Sequence, residues 1–236
     1  MEQTPSRMGK QSEEMKILTY NINKSTQEKI EKVLAFDADL LILPEVACPS
    51  KVTLPEDYRM EWMGDFPNKG LGVIWKPKLK VEVPSWFNPA LQYFLPLLVG
   101  GQLIIAAWPT TTEQNKPMKY PQIALSAIQE YAPYIKALPT IITGDMNCYK
   151  GQSGETKQYS IQTIFDTLAE MGLSSAYHQW KGEALGEETV HTYYHQFKET
   201  QPFFIDYTFS SIPLKSFSLG KWDKDLSDHV PQFIEI

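Results

Sequence analysis

Five stretches of the chain set a chemically capable polar side chain at the end of, or inside, an apolar strand-like run. Asn21 and Asn23 border KILTY (16–20), and Glu45 closes DLLILPEV (39–46). Asp145 and Asn147 follow Ile141-Ile142-Thr143 and Gly144, Asp206 lies within FFIDYTF (203–209), and Asp228-His229 opens the closing segment SDHVPQFIEI. Side chains two apart on an extended segment point the same way. Asp145 with Asn147, and Asn21 with Asn23, are therefore expected to be presented in pairs at strand mouths. A carboxylate in an apolar run needs a partner, a metal or solvent. Imidazole is the natural partner for Asp206, and His229 is the candidate, as in an orienting Asp–His pair. Each piece alone reads as an ordinary turn, because Gly, Asp and Asn are turn formers.

The chemistry this set suits is metal-assisted phosphoester hydrolysis. Glu45 and Asp228 are hard oxygen ligands for Mg²⁺ or Mn²⁺, with Asn21 as a neutral helper. Asp145 is placed to position or deprotonate the attacking water. Asn147 and Asn23 offer hydrogen bonds to charge developing on phosphorus, and His229, oriented by Asp206, offers a donor to a phosphate oxygen.

The elements that must hold these groups are strands for the most part. Ser25 or Thr26 caps an expected helix to about Phe36, with Ile30, Val33 and Leu34 on one face. The run 39–46 is apolar on both sides and reads as a central strand. Strands are expected at 57–63, 71–76 and 81–83, and a hairpin at 91–99 and 102–108 through Gly100-Gly101. A helix is expected over Gln122 to about Lys136, kinked or shortened by Pro133, and another over 160–171, stopped by Gly172. Short strands follow near 189–195, 203–210 and 214–220. Both halves contain a helix followed by a buried strand ending in an acidic residue.

The 236 residues are 42% hydrophobic and 12% aromatic, enough for a substantial core. A net charge of −6 argues against a broad basic face for nonspecific nucleic-acid binding. No apolar run reaches the roughly 18 residues of a membrane span. Two cysteines, Cys48 and Cys148, make no disulfide framework and fit a reducing, cytoplasmic setting. Residues 1–14 read as a flexible tail and 15–236 as one domain, a monomer. His191 and His195 sit four apart in a β-type segment, about 13 Å along a strand, which argues against a zinc pair. Trp86, Phe87, Tyr93 and Phe94 read as core. Lys69, Lys76, Lys116, Lys119, Lys150 and Lys157 read as solvated surface lysines.

In order along the chain, TYNIN (19–23), LPE (43–45), GLGVIWK (70–76), GDMN (144–147), IDYTF (205–209) and SDHVP (227–231) resemble the motifs of the endonuclease/exonuclease/phosphatase superfamily. HTYY (191–194), with Tyr193, is a weaker match to a Thr-aromatic segment. Trp108-Pro109 and Met118-Lys119-Tyr120-Pro121, flanking the helix before GDMN, look most like the exonuclease III type. The resemblance covers nearly all of 15–236. It implies an α/β (α+β) DNase I-like fold, a four-layer sandwich of two packed mixed β-sheets flanked by helices. It also implies a Mg²⁺- or Mn²⁺-dependent phosphodiesterase or phosphomonoesterase, acting on DNA, RNA or a small or lipid-like phosphate, with Trp108 and Tyr193 contacting substrate. Two departures stand out. Pro44 replaces the usual Gln before the Glu. Trp108 stands where most relatives carry a His or Tyr that contacts the scissile phosphate, and an indole offers only an N–H donor. Trp108 therefore keeps a third expectation open, a non-catalytic phosphate- or nucleic-acid-binding relative.

Overall fold

The structure is a computed structural model that describes residues 14–236. The expected tail over 1–14 lies outside the described residues except for Glu14, which pairs with Lys215.

In chain order the elements are β1 (Lys16–Thr19), α1 (Gln27–Leu34), β2 (Leu40–Val46), β3 (Arg59–Phe66), β4 (Lys69–Trp75), β5 (Val81–Glu82), β6 (Phe94–Val99), β7 (Gln102–Ala107), α2 (Tyr120–Ala137) and β8 (Thr140–Asp145). They continue with α3 (Ile161–Glu170), β9 (Ser174–Ser175), α4 (Ala176–Lys181), β10 (Tyr193–Tyr194), β11 (Pro202–Phe203), β12 (Asp206–Ser210), β13 (Ser216–Leu219) and β14 (Gln232–Glu235). Six strands form one sheet in the order β13-β14-β1-β2-β4-β3, and six form a second in the order β5-β6-β7-β8-β12-β9. Each sheet is mixed. Its one parallel pair, β1/β2 or β7/β8, is joined through a helix, α1 or α2.

Burial explains why β2 reads as apolar throughout. Leu40 and Ile42 belong to the large core shared by both sheets, whereas Leu41 and Leu43 belong to a second core with Ile30 and Val33 of α1. Both faces are covered, so neither needs polar residues. The layers are therefore α1, the first sheet, the second sheet, and then α2 with α3. Thr26 caps α1 by accepting from the Lys29 N–H at 3.2 Å, and Ser160 caps α3 by accepting from the Thr163 N–H at 3.1 Å.

Three expectations change. Helix α2 is not shortened at Pro133 but runs to Ala137. Pro133 and Gln129 are both exposed, so the carbonyl that loses its partner faces water. A short helix, α4, fills 176–181 where no element was expected, and it ends at Gly182 with φ +71°. The strand end at Asp145 does not continue extended to Asn147.

Candidate active site

The two central β-α-β units deliver the site at strand ends built in the same way. β8 stops at Asp145, and Asn147 turns left-handed with φ +53°. Its N–H donates to Asp145 Oδ1 at 2.8 Å. β1 stops at Thr19, Asn23 has φ +45°, and its N–H donates to Asn21 Oδ1 at 2.9 Å. Both are Asx-type turns, in which the side chain of one residue holds the backbone two residues on. The paired presentation on an extended segment is thus corrected: Asp145 and Asn147, like Asn21 and Asn23, meet through a turn. Glu45 arrives by a third device. The register of β2 against β4 shifts between Pro44 and Val46, leaving Glu45 as the bulged residue with φ +64°. A bulge of this kind re-aims a side chain.

At the centre, Asn21 Nδ2 donates to Asp145 Oδ2 at 2.9 Å and lies 3.4 Å from Glu45 Oε1. Asn21 thereby ties a carboxylate of the second sheet to one of the first. Its oxygen accepts from the Asn23 N–H and keeps a second lone pair, while its amide nitrogen presents a donor to the carboxylates. From the other side, His229 Nδ1 donates to Asp206 at 2.9 Å, and His229 Nε2 stands 3.9 Å from Asp145 Oδ2. The first distance is a hydrogen bond. The second is too long for one and matches a gap that an intervening oxygen can bridge. Asp145, Asp206 and His229 bring potential metal-donor atoms within 4.8 Å of one another.

Burial and charge set the proton affinities. Burial pushes the Asp145 carboxyl up, to about 7, against the opposing pull of His229. Burial pushes His229 down, but Asp206 and Asp145 outweigh it and hold the imidazole at about 9. The network thus retains protons at neutral pH. A divalent cation beside Asp145 would favour its carboxylate form.

Asp228 is buried, and its charge contributes to raising His229 and Tyr193. Tyr193 lies in the same cluster, with its ring 4.6 Å from His229 and its hydroxyl 2.8 Å from His195 Nδ1. Burial and the Asp228, Asp145 and Glu45 charges push its phenol to about 12. Asn147 Nδ2 donates to the Pro109 carbonyl at 3.1 Å, which ties GDMN to the Trp108-Pro109 segment. Trp108 is only 3% exposed and packs edge-on against Tyr93. The side chain of Asn23 makes no hydrogen bond to the carboxylate cluster among the described residues.

Sequence reasoning missed the supports. Thr192 Oγ1 accepts from the N–H groups of both Ile205 and Asp206 at 3.0 Å, and the Tyr194 N–H donates to the Asp228 carbonyl at 2.7 Å. The 192–194 segment therefore clamps the Asp206 and Asp228-His229 strand ends together. Thr143, Thr208 and Gln232 form a buried polar chain with links of 2.7 Å, and Gln232 Nε2 donates to the Asp206 carbonyl at 2.7 Å. Gln232 lies on the first sheet and Thr208 on the second, so this chain fixes the register between the sheets beneath the site. Polar residues inside strands that are otherwise apolar were the available signal. Lys69 was also missed. Its Nζ lies 3.2 Å from Glu45 Oε1 and 5.1 Å from the centre of the Trp108 ring.

No protein-family model and no curated protein matches the sequence. Solved structures do resemble it. The 3′ phosphatase NExo from Neisseria, bound to product DNA hairpin, aligns over 93% of this chain and 98% of its own at TM-score 0.70 and 19% identity. An AP endonuclease from Archaeoglobus fulgidus aligns over 93% and 98% at TM-score 0.64 and 14% identity. An endonuclease/exonuclease/phosphatase from Beutenbergia cavernae covers 94% of this chain and 71% of its own at TM-score 0.65 and 14% identity. Two mixed six-stranded sheets, helices on the outer faces and these alignments together give the chain a DNase I-like fold, the fold shared by these solved structures.

Proposed function

We propose that the chain is a divalent-cation-dependent phosphoester hydrolase, a nuclease-type phosphodiesterase that cleaves by in-line attack of water. The observation that carries this reading is the 3.9 Å gap between Asp145 and His229. It is closed on one side by Asn21 and Glu45 and on the other by Asp206. A water beside that gap meets an acceptor in Asp145 and a donor in His229. The likeness to a phosphatase bound to a DNA product supports nucleic acid as the substrate class.

The donor set fits a hard cation such as Mg²⁺ or Mn²⁺, because it offers carboxylate oxygens and no thiolate. An ammonium already rests against Glu45, so positive charge is favoured there. Glu45 and Asp228 would hold the ion. Once bound, it would neutralise phosphate charge and lower the pKa of a coordinated water. Asp145, steadied by Asn21 and the Asn147 N–H, orients the attacking water and accepts its proton. His229, kept in one orientation by Asp206, donates from Nε2 to a phosphoryl oxygen. Asn147 keeps one amide hydrogen for the phosphate while the other is held by Pro109.

The test is a panel of DNA, RNA, an aryl phosphodiester and phosphomonoesters with Mg²⁺ or Mn²⁺, run beside Asp145→Asn. Turnover that this change cuts by about 10²–10⁴-fold supports the reading. No turnover on any member with either ion would leave a phosphate-binding relative without catalysis. One observation favours a second reading, a phosphatase for small or lipid-like phosphates. Lys76 and Lys116 are engaged by acidic residues and Lys150 by a carbonyl, which leaves few free cations along a strand path. A steep fall of activity with salt supports a nucleic acid substrate, and a flat response supports the small phosphate.

A further inference from the structure

Lys69 opens β4 at the lip of a cleft of about 470 Å³ that also contains Trp108, Tyr93, Thr110 and the exposed Phe66. Its ammonium has two seats at once, the Glu45 carboxylate at 3.2 Å and the face of the buried Trp108 ring at 5.1 Å. The ring attracts a cation without neutralising it. The lysine side chain remains 41% exposed and lines the cleft, while the Glu45 side chain behind it is 17% exposed. The ion pair also sits on a strained support, because Glu45 is the bulged residue with φ +64°. Strain of this kind persists where the surroundings over-determine it. Trp108 cannot change its charge near neutral pH and accepts no proton. A site with this residue at its wall needs positive charge for phosphate from elsewhere, and Lys69 is the ammonium resting on that wall.

We propose that Lys69 is the phosphate-anchoring residue of this site. In the free protein its ammonium fills the cation seat at Glu45. When a divalent ion takes that carboxylate, Lys69 keeps its place over the Trp108 face and turns its N–H donors to the substrate phosphate. Lys69 thus competes with the metal and cooperates with the phosphate, two effects of opposite sign from one side chain. The proposal rests on the phosphoester reading above.

The experiment has two binding measurements and needs no turnover. Mn²⁺ is titrated into substrate-free protein and followed by the electron paramagnetic resonance signal of the free ion, and inorganic phosphate is titrated calorimetrically into Mg²⁺-loaded protein. Lys69→Met should tighten Mn²⁺ binding by roughly two- to fivefold, the scale of losing a partly exposed competing ion pair. It should weaken phosphate binding by about tenfold or more, the scale of a charge-assisted hydrogen bond. Lys69→Arg should recover most of the phosphate affinity. Unchanged or weaker Mn²⁺ binding in Lys69→Met overturns the proposal, as does unchanged phosphate binding. If the unsubstituted protein binds Mn²⁺ and phosphate while Lys69→Met alters neither constant, Lys69 alone has been misassigned. If the unsubstituted protein binds no Mn²⁺, both readings fall.

Discussion

Glu45 and Asp145 occupy matching places, each on the strand that completes a parallel β-α-β unit, one in each sheet. Their surroundings differ in kind. Glu45 is thrown out of register by a bulge and meets the ammonium of a partly exposed lysine, Lys69. Asp145 is 1% exposed and held by Asn21, the Asn147 N–H and the nearby His229. The same carboxylate chemistry is thus divided by burial. The group near solvent can exchange one cation for another. The group sealed among hydrogen-bonded partners can hold or pass a proton. The fold repeats a unit, and the local backbone gives the acids of its two copies different surroundings.

The largest test of this contrast is mechanical. Gly144, just before Asp145, has φ +150°, and an added Cβ would lie 1.9 Å from the Ala107 carbonyl oxygen on the neighbouring strand. Gly144→Ala should cost about 4 kcal/mol or more in chemical denaturation. A small loss would mean that the Asp145 side is less tightly built than described.

A second test uses pH. His229 is raised from an ordinary 6.5 to about 9, and Asp145 from 3.8 to about 7. In both cases the folded state binds more protons than the unfolded one, so stability falls as pH rises. The His229 contribution is complete below about pH 6.5 and lost as pH climbs through about 9, while Asp145 adds a decline of the same sign between about 4 and 7. These two groups should therefore lower metal-free denaturation midpoints between about pH 5 and pH 9, above the range where the lowered carboxyls of Asp39, Glu183 and Glu188 act with the opposite sign. Asp145→Asn should flatten the lower part of that fall. A midpoint that rises across the range would contradict the assignment.

A smaller effect belongs to the strained side. Glu45→Gly removes a left-handed non-glycine residue and should stabilise the metal-free protein by about 1 kcal/mol. Destabilisation would show that the Lys69 pair outweighs the backbone strain. The smallest test concerns the thiols that follow each acid by three residues. Both are free; Cys148 is buried and raised by burial, whereas Cys48 is accessible and lowered by its contact with Ser50. In native buffer a thiol reagent should modify one cysteine per chain, with turnover unchanged. Rapid modification of two would show that the Asp145 side opens.

Much of this was legible in the chain. Apolar runs at 39–46 and 140–145 gave their strands because burial on both faces removes polar residues from them. The Asp206–His229 pair followed from the cost of a lone buried acid. What escaped depends on backbone torsion and on long-range neighbours. Nothing local distinguishes a Glu in a bulge from one that ends a strand, and nothing distinguishes the left-handed Asn147 from an extended one. Pro133 signalled a break, but solvent on its side of α2 makes the lost hydrogen bond tolerable. The side chains of Thr192 and Gln232 act on residues 13 to 26 positions away, and Lys69 looked like any surface lysine until β4 paired with β2.

The division of labour between the two acids is tested most directly by titrating Mn²⁺ into Glu45→Gln and Asp145→Asn side by side. Glu45→Gln should lose Mn²⁺ affinity by about tenfold or more, as expected for a removed charged ligand. Asp145→Asn should bind the ion nearly as the unsubstituted protein does while failing to turn over substrate. The reverse pattern, with Mn²⁺ lost in Asp145→Asn and kept in Glu45→Gln, would contradict the account and move the cation into the buried Asp145, Asp206 and His229 cluster.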